Sequence, residues 1–139
     1  MTAHNEHTKI LFERSASLLR VHGIVSIIFG AIGVFSALVI AAVVAVIFAV
    51  PTAEFTPPNA EETAGLLIIS IAAFFFWLLP HIYLIVAGVY LVKEPTPGVA
   101  KVLVIINLII GFFTNLGLLI FGIINLVQSA DYENGYHKK

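Results

Sequence analysis

Residues 21–50 read VHGIVSIIFGAIGVFSALVIAAVVAVIFAV, an apolar run without a single charge. As a helix this run measures about 45 Å at about 1.5 Å per residue, against a bilayer hydrocarbon core of about 30 Å. The stretch therefore predicts a membrane helix that tilts or projects beyond the bilayer. It follows Lys9, Arg14 and Arg20, as the apolar part of a signal peptide would. Its length, however, far exceeds the roughly 7–15 residues of such a segment, and its alanines recur instead of marking one cleavage point. A retained helix is expected.

The rest of the chain agrees. Of 139 residues, 60% are hydrophobic and 11% charged, where a soluble domain carries about 25% charged residues. The mean hydropathy is +1.04. A second apolar run covers 64–92 and is interrupted by Pro80, which predicts a kink there. A third covers 99–127. Its central Phe113-Thr114-Asn115-Leu116-Gly117 holds turn residues that predict a break into two helices, 99–113 and 116–128. The fold class expected is an all-α polytopic transmembrane helix bundle with four spans, three long spans being the alternative.

Connections follow from local chemistry. Residues 51–63 contain Pro51, Pro57 and Pro58 and form a loop, with Pro51 ending the first helix. Asn59 and Glu62 predict a helix cap, with Glu61 and Glu62 in the first turn, where the helix dipole favours negative charge. Residues 93–98 form a turn in which Thr96 is the cap and Pro97 the first helical residue. Residues 1–20 are read as a polar segment, either a short interfacial helix around Ile10, Leu11 and Phe12 or a frayed end. Residues 129–139 are read as a tail.

Charge sets the expected threading. Lys9, Arg14 and Arg20 precede the first run, Lys93 and Lys101 flank the 93–98 turn, and Lys138 and Lys139 close the chain. The 51–63 loop carries Glu54, Glu61 and Glu62 and no base. The excess of Lys and Arg on cytoplasmic loops places the N-terminus and 93–98 inside and 51–63 outside, in a multi-pass protein of the plasma membrane. Four spans return the C-terminus to the cytoplasm with every basic residue inside. Helix length favours three spans; charge and turn chemistry favour four.

Two sets of side chains are candidates for function. Ser26, Gly30, Gly33, Ala37 and Ala41 lie three or four residues apart and continue through Ala45 and Ala49, giving the first helix a face of small residues. Small residues let helix backbones approach closely in lipid. That face serves internal packing first, and a homo-oligomer or membrane-protein partner second. Within the apolar runs His81, Asn107 and Asn125 are the polar residues of interest; His22 is expected at the membrane interface. An imidazole at the depth of His81 marks a solute or proton pathway, but no charged partner stands at that depth. The competing reading has its ring bonded to a backbone carbonyl, such as one released by Pro80. Ile-Ile-Asn-Leu occurs at 105–108 and again at 123–126, so Asn107 and Asn125 share a face in one straight helix, or meet across a hairpin. Phe74, Phe75, Phe76 and Trp77 are bulk facing lipid or core, while Tyr90, Tyr132 and Tyr136 are expected as interfacial anchors.

Other functions lack support. The net charge of −1 offers no basic surface for nucleic acid, and with no cysteine the chain has no thiol chemistry. It carries no HExxH, GxSxG or glycine-rich phosphate loop, and His4 with His7 is too sparse a pair for a metal site. No catalytic residue, cofactor or metal is expected. The layout resembles small four-span membrane proteins of bacteria, on hydropathy and a glycine-rich first span. The expectation is therefore a structural or accessory membrane protein whose partners are the lipid bilayer and other membrane helices. A small oligomeric transporter or channel subunit, with His81 and Asn107 lining its path, is the alternative.

Overall fold

The structure, a computed structural model, describes residues 2–49 and 59–138. Five helices account for nearly all of them: α1 (Thr2–Ala49), α2 (Ala60–Val92), α3 (Pro97–Thr114), α4 (Leu116–Val127) and α5 (Ser129–Tyr136). The first three are long and apolar enough to cross a membrane, and α4 is a shorter apolar helix. Ending of α1 at Pro51, and the 51–58 part of the predicted loop, lie outside the described residues.

Local chemistry sets the boundaries. Asn59 Oδ1 accepts from the Glu62 backbone N–H at 2.8 Å while Glu62 returns its carboxylate to the Asn59 N–H, a reciprocal capping box. Pro97 opens α3 as expected, but Thr96 makes no side-chain capping bond. The break in the last apolar run falls at Asn115, whose extended backbone (φ −156°, ψ 117°) ends α3 and begins α4. Its Oδ1 accepts from Gly117 N at 2.8 Å and Leu118 N at 3.4 Å, satisfying two of the open donors of α4. The two Ile-Ile-Asn-Leu segments therefore face each other across a hairpin instead of sharing one straight helix.

Two expectations need correction. Residues 2–20 are neither a separate interfacial helix nor a frayed end: α1 runs unbroken from Thr2 through the apolar stretch. Residues 129–136 are not a loose tail but α5, which docks on that extension. Phe12 and Tyr132 stack with ring centroids 5.4 Å apart, and the Tyr132 hydroxyl donates to the Pro95 carbonyl at 2.6 Å. Tyr132 is thus buried against the N-terminal part of α1. Apolar burial drives both elements together: Phe12, Ala16 and Leu19 meet Leu91, Ala100, Val104 and Tyr132 in one core at the end of the bundle that carries the basic residues.

In the apolar zone α1 and α2 lie antiparallel and close. A Cβ on Gly23 would stand 2.7 Å from the Gly88 carbonyl oxygen, and one on Gly30 2.7 Å from that of His81. Lipid supplies no hydrophobic drive between helices, so this backbone proximity is the source of dispersion contact. Ser26, Gly30, Gly33 and Ala37 are all buried in this seam. Among the described residues none of α1 beyond Ala37 is buried; Ala41 is only half-covered and Ala45 is exposed. The small-residue face is thus consumed inside the protein for its first half and left open for its second. The open half borders an apolar groove of about 670 Å³ between α1 and α2, lined by Ala41, Ala45, Ser70, Phe74 and Trp77 among others.

Candidate functional site: a polar cluster around His22

Where α1, α3 and α4 converge, four polar side chains meet in an otherwise apolar setting. His22 and Ser26 come from successive turns of α1, Asn107 from α3 and Asn125 from α4. His22, Ser26 and Asn107 are fully buried and Asn125 nearly so. The imidazole lies between the two amides: Asn125 Nδ2 is 2.9 Å from Nδ1, and the Asn107 amide is 3.2 Å from Nε2. Asn107 also reaches Ser26 Oγ at 3.2 Å, and Ser26 donates to the Leu84 carbonyl at 2.6 Å, which ties α2 into the cluster. Phe121 covers the ring, with centroids 6.2 Å apart.

Donor and acceptor counting assigns the ring's hydrogen. Asn125 Nδ2 also donates to the Phe121 carbonyl at 2.8 Å, and a carbonyl only accepts, so that end of the amide is the nitrogen. Nδ1 of His22 therefore accepts, and the ring is neutral with its hydrogen on Nε2. The partner Nε2–H calls for is the Asn107 carbonyl oxygen. A half-turn of that amide brings Oδ1, which otherwise lacks a partner among the described residues, onto the ring. The arrangement has the chemistry of an interhelical fastening: its ring is flanked by amides, with no carboxylate to exchange a proton.

His81 stands apart from the cluster. Its Nδ1 lies 2.7 Å from the Trp77 carbonyl, so Nδ1 carries a hydrogen and donates it. The carbonyl that Pro80 releases is that of Phe76, four residues before it, so the acceptor is not the one the proline frees. The ring occupies the space over Gly33, where a Cβ would overlap it, and tilts against Trp77 with centroids 4.9 Å apart. The Trp77 indole N–H in turn reaches Ser36 Oγ at 3.4 Å. His81 thus pins α2 to α1 within the seam. Phe75, Phe76 and Trp77 point outward, Phe76 with 83% of its surface exposed, as a lipid-facing aromatic patch.

Of the residues singled out from sequence, Asn107 and Asn125 are brought together, His81 is placed elsewhere, and Ser26 joins the polar cluster as well as the packing seam. The residue at the centre, His22, is fully enclosed by protein: it is 0% exposed. Among the described residues no group of three or more His, Cys, Asp or Glu is placed to hold a metal ion. No protein-family model matches this chain, and neither the curated proteins nor the solved structures give a match.

Proposed function

We propose that this chain is a structural or accessory protein of the cell membrane, multi-pass with its N-terminus in the cytoplasm, that acts through helix packing rather than catalysis or conduction. The observation that carries this reading is how its polar side chains are used. His22, Ser26, Asn107 and Asn125 bond to one another and to the Leu84 and Phe121 carbonyls, and His81 bonds to its own helix. Groups engaged in this way fasten helices and leave no row of free polar atoms along a path. The distribution of Lys and Arg supports the orientation. The surface left for a partner is the second half of the small-residue face, around Ala41 and Ala45, together with the aromatic patch of α2.

Two measurements test it. Reconstituted in liposomes, the protein and its His81→Ala variant are expected to pass protons, alkali cations and small solutes no faster than protein-free vesicles. A flux that the parent supports and His81→Ala or Asn107→Leu abolishes would establish the transporter reading instead. A photoreactive residue at Ala45 is expected to give discrete protein adducts in native membranes, with a second copy or another membrane protein. Adducts with lipid alone would remove the accessory role.

A further inference from the structure

We propose that α3 and α4 form a re-entrant hairpin, which enters the membrane from the side bearing the basic residues, turns at Asn115 inside the hydrocarbon core and leaves on the same side. The register of the helices carries this. Moving outward along α1, Phe12 packs on Tyr132 and Gly135, His22 bridges Asn107 and Asn125, and the Phe29 ring lies 3.8 Å from a Cβ position on Gly117. Each step out along α1 is matched by a step back along α4 and α5. The Asn115 turn is thereby level with Gly30 and Ala31.

The start of the hydrocarbon is marked on the same scale. Arg20 pairs with Glu94 at 2.8 Å, and the charged Lys93, Lys101 and Asp131 cluster at or below that level, whereas exposed Val21 and Ile24 lie just beyond it. From Arg20 to Ala31 is about 16 Å along the helix, roughly half of a 30 Å core. Tilting α1 only makes the turn shallower. Both α1 and α2 continue past it, α1 as far as Ala49. The 12 residues of α4 span about 18 Å, short of the roughly 20 residues a crossing requires.

The turn is built for a site without water. Phe112, Phe113 and Leu116 around it are 69%, 79% and 69% exposed. Several of its polar groups close within the turn: Thr114 donates to the Ile110 carbonyl at 2.7 Å, Asn115 N–H to that of Gly111 at 2.8 Å, and the Asn115 side chain caps α4. Backbone groups at membrane depth have no water to bond, so partners within the protein are what they require. The proposal also removes the conflict between helix length and charge. With two complete crossings, α1 and α2, the basic residues Lys9, Arg14 and Arg20 in the N-terminal part of α1, those flanking the α2–α3 turn and Lys138 all fall on one side.

The test uses the absence of native cysteine. Single cysteines are placed at the turn (Phe113→Cys and, separately, Leu116→Cys), at His137→Cys for the near side and at Ala60→Cys for the far side. Each is treated in sealed vesicles of known orientation with a membrane-impermeant maleimide from either face. The outward-facing Phe113 and Leu116 side chains make these substitutions mild. Both turn cysteines are expected to stay unlabelled from either face and to react fully once detergent is added. A nitroxide on Leu116→Cys is expected to gain accessibility to oxygen and lose it to a water-soluble nickel chelate. Labelling of either turn cysteine from the Ala60→Cys face would mean a full crossing. Labelling from the His137→Cys face would mean a hairpin lying outside the core. Either result overturns the proposal.

Discussion

His22→Leu tests whether the polar cluster fastens the hairpin to α1. The substitution keeps an apolar side chain against Phe121 but removes both ring nitrogens, ending the contacts at 2.9 Å to Asn125 and 3.2 Å to Asn107. Asn125 keeps the Phe121 carbonyl, and with the ring gone the Asn107 amide is free to turn its Nδ2 onto Ser26 Oγ, so neither becomes a full orphan. Interhelical side-chain hydrogen bonds in membranes are worth about 0.6 kcal/mol on average and at most about 1.7. Two of them predict a loss of about 1–3 kcal/mol. The assay is unfolding in mixed micelles of increasing dodecyl sulfate content, followed by the fluorescence of Trp77, the chain's single tryptophan, and by circular dichroism. Replacing all partners of a buried polar set with apolar groups of similar shape is nearly neutral, whereas removing one is not. The triple variant His22→Leu, Asn107→Leu, Asn125→Leu is therefore expected to recover most of the stability that His22→Leu loses. A single variant within about 0.5 kcal/mol of the parent, or a triple variant worse than the single one, would refute the reasoning.

Three other outcomes follow from the packing and the caps. Gly23→Ala forces a Cβ to 2.7 Å from the Gly88 carbonyl and is expected to cost about 1–3 kcal/mol in the same assay, as overpacked cores do. Gly65→Ala meets nothing within 4 Å and is expected to be neutral or to gain up to about 1 kcal/mol. Asn115→Ala deletes the acceptor for Gly117 and Leu118 N–H and is expected to cost about 1–2 kcal/mol, read as loss of helical ellipticity and an earlier midpoint. The Tyr132 hydroxyl is pushed up to about 12, by burial first and then by the negative charges of Glu94 and Tyr136. The folded state thus holds this proton more tightly than the unfolded chain, whose tyrosine titrates near 10. The stabilisation is complete below about pH 10 and lost as pH rises towards about 12. Phenolate absorbance is expected to show a tyrosine titrating towards about pH 12 that Tyr132→Phe removes.

What sequence alone makes legible here is what local chemistry decides. The Asn59–Glu62 cap, the helix start at Pro97 and the break at Asn115 each follow from a few adjacent side chains. The small residues from Ser26 to Ala37 announce a close helix contact, although not that the same face stops being covered near Ala41. The site's centre is not legible in the same way. His22 sits two residues beyond Arg20, so hydropathy places it at the interface. Only the fold-back at Asn115 carries Asn107 and Asn125 to its level, and only the extension of α1 before Arg20 gives α5 a surface to cover. A signal did exist: the two Ile-Ile-Asn-Leu segments put an asparagine at nearly equal distances on either side of Asn115. Asp131, Glu133 and Asn134 hide α5, because its burial rests on Tyr132 and Gly135 rather than on any apolar period.

The unequal lengths of the two helix pairs give the molecule a tapered cross-section. One monolayer is crossed by α1, α2, α3 and α4 together, the other by α1 and α2 alone, if the turn at Asn115 lies where its register puts it. A helix about 10 Å across occupies about 80 Å², so the two monolayers differ by about 160 Å² of displaced lipid per molecule. A wedge of that kind is accommodated with least strain where the membrane bends away from its broad end. The protein would then gather on membranes curved towards its narrow end and stiffen them when abundant. Its density on narrow tubes drawn from flat vesicles, relative to the parent vesicle, measures that preference directly.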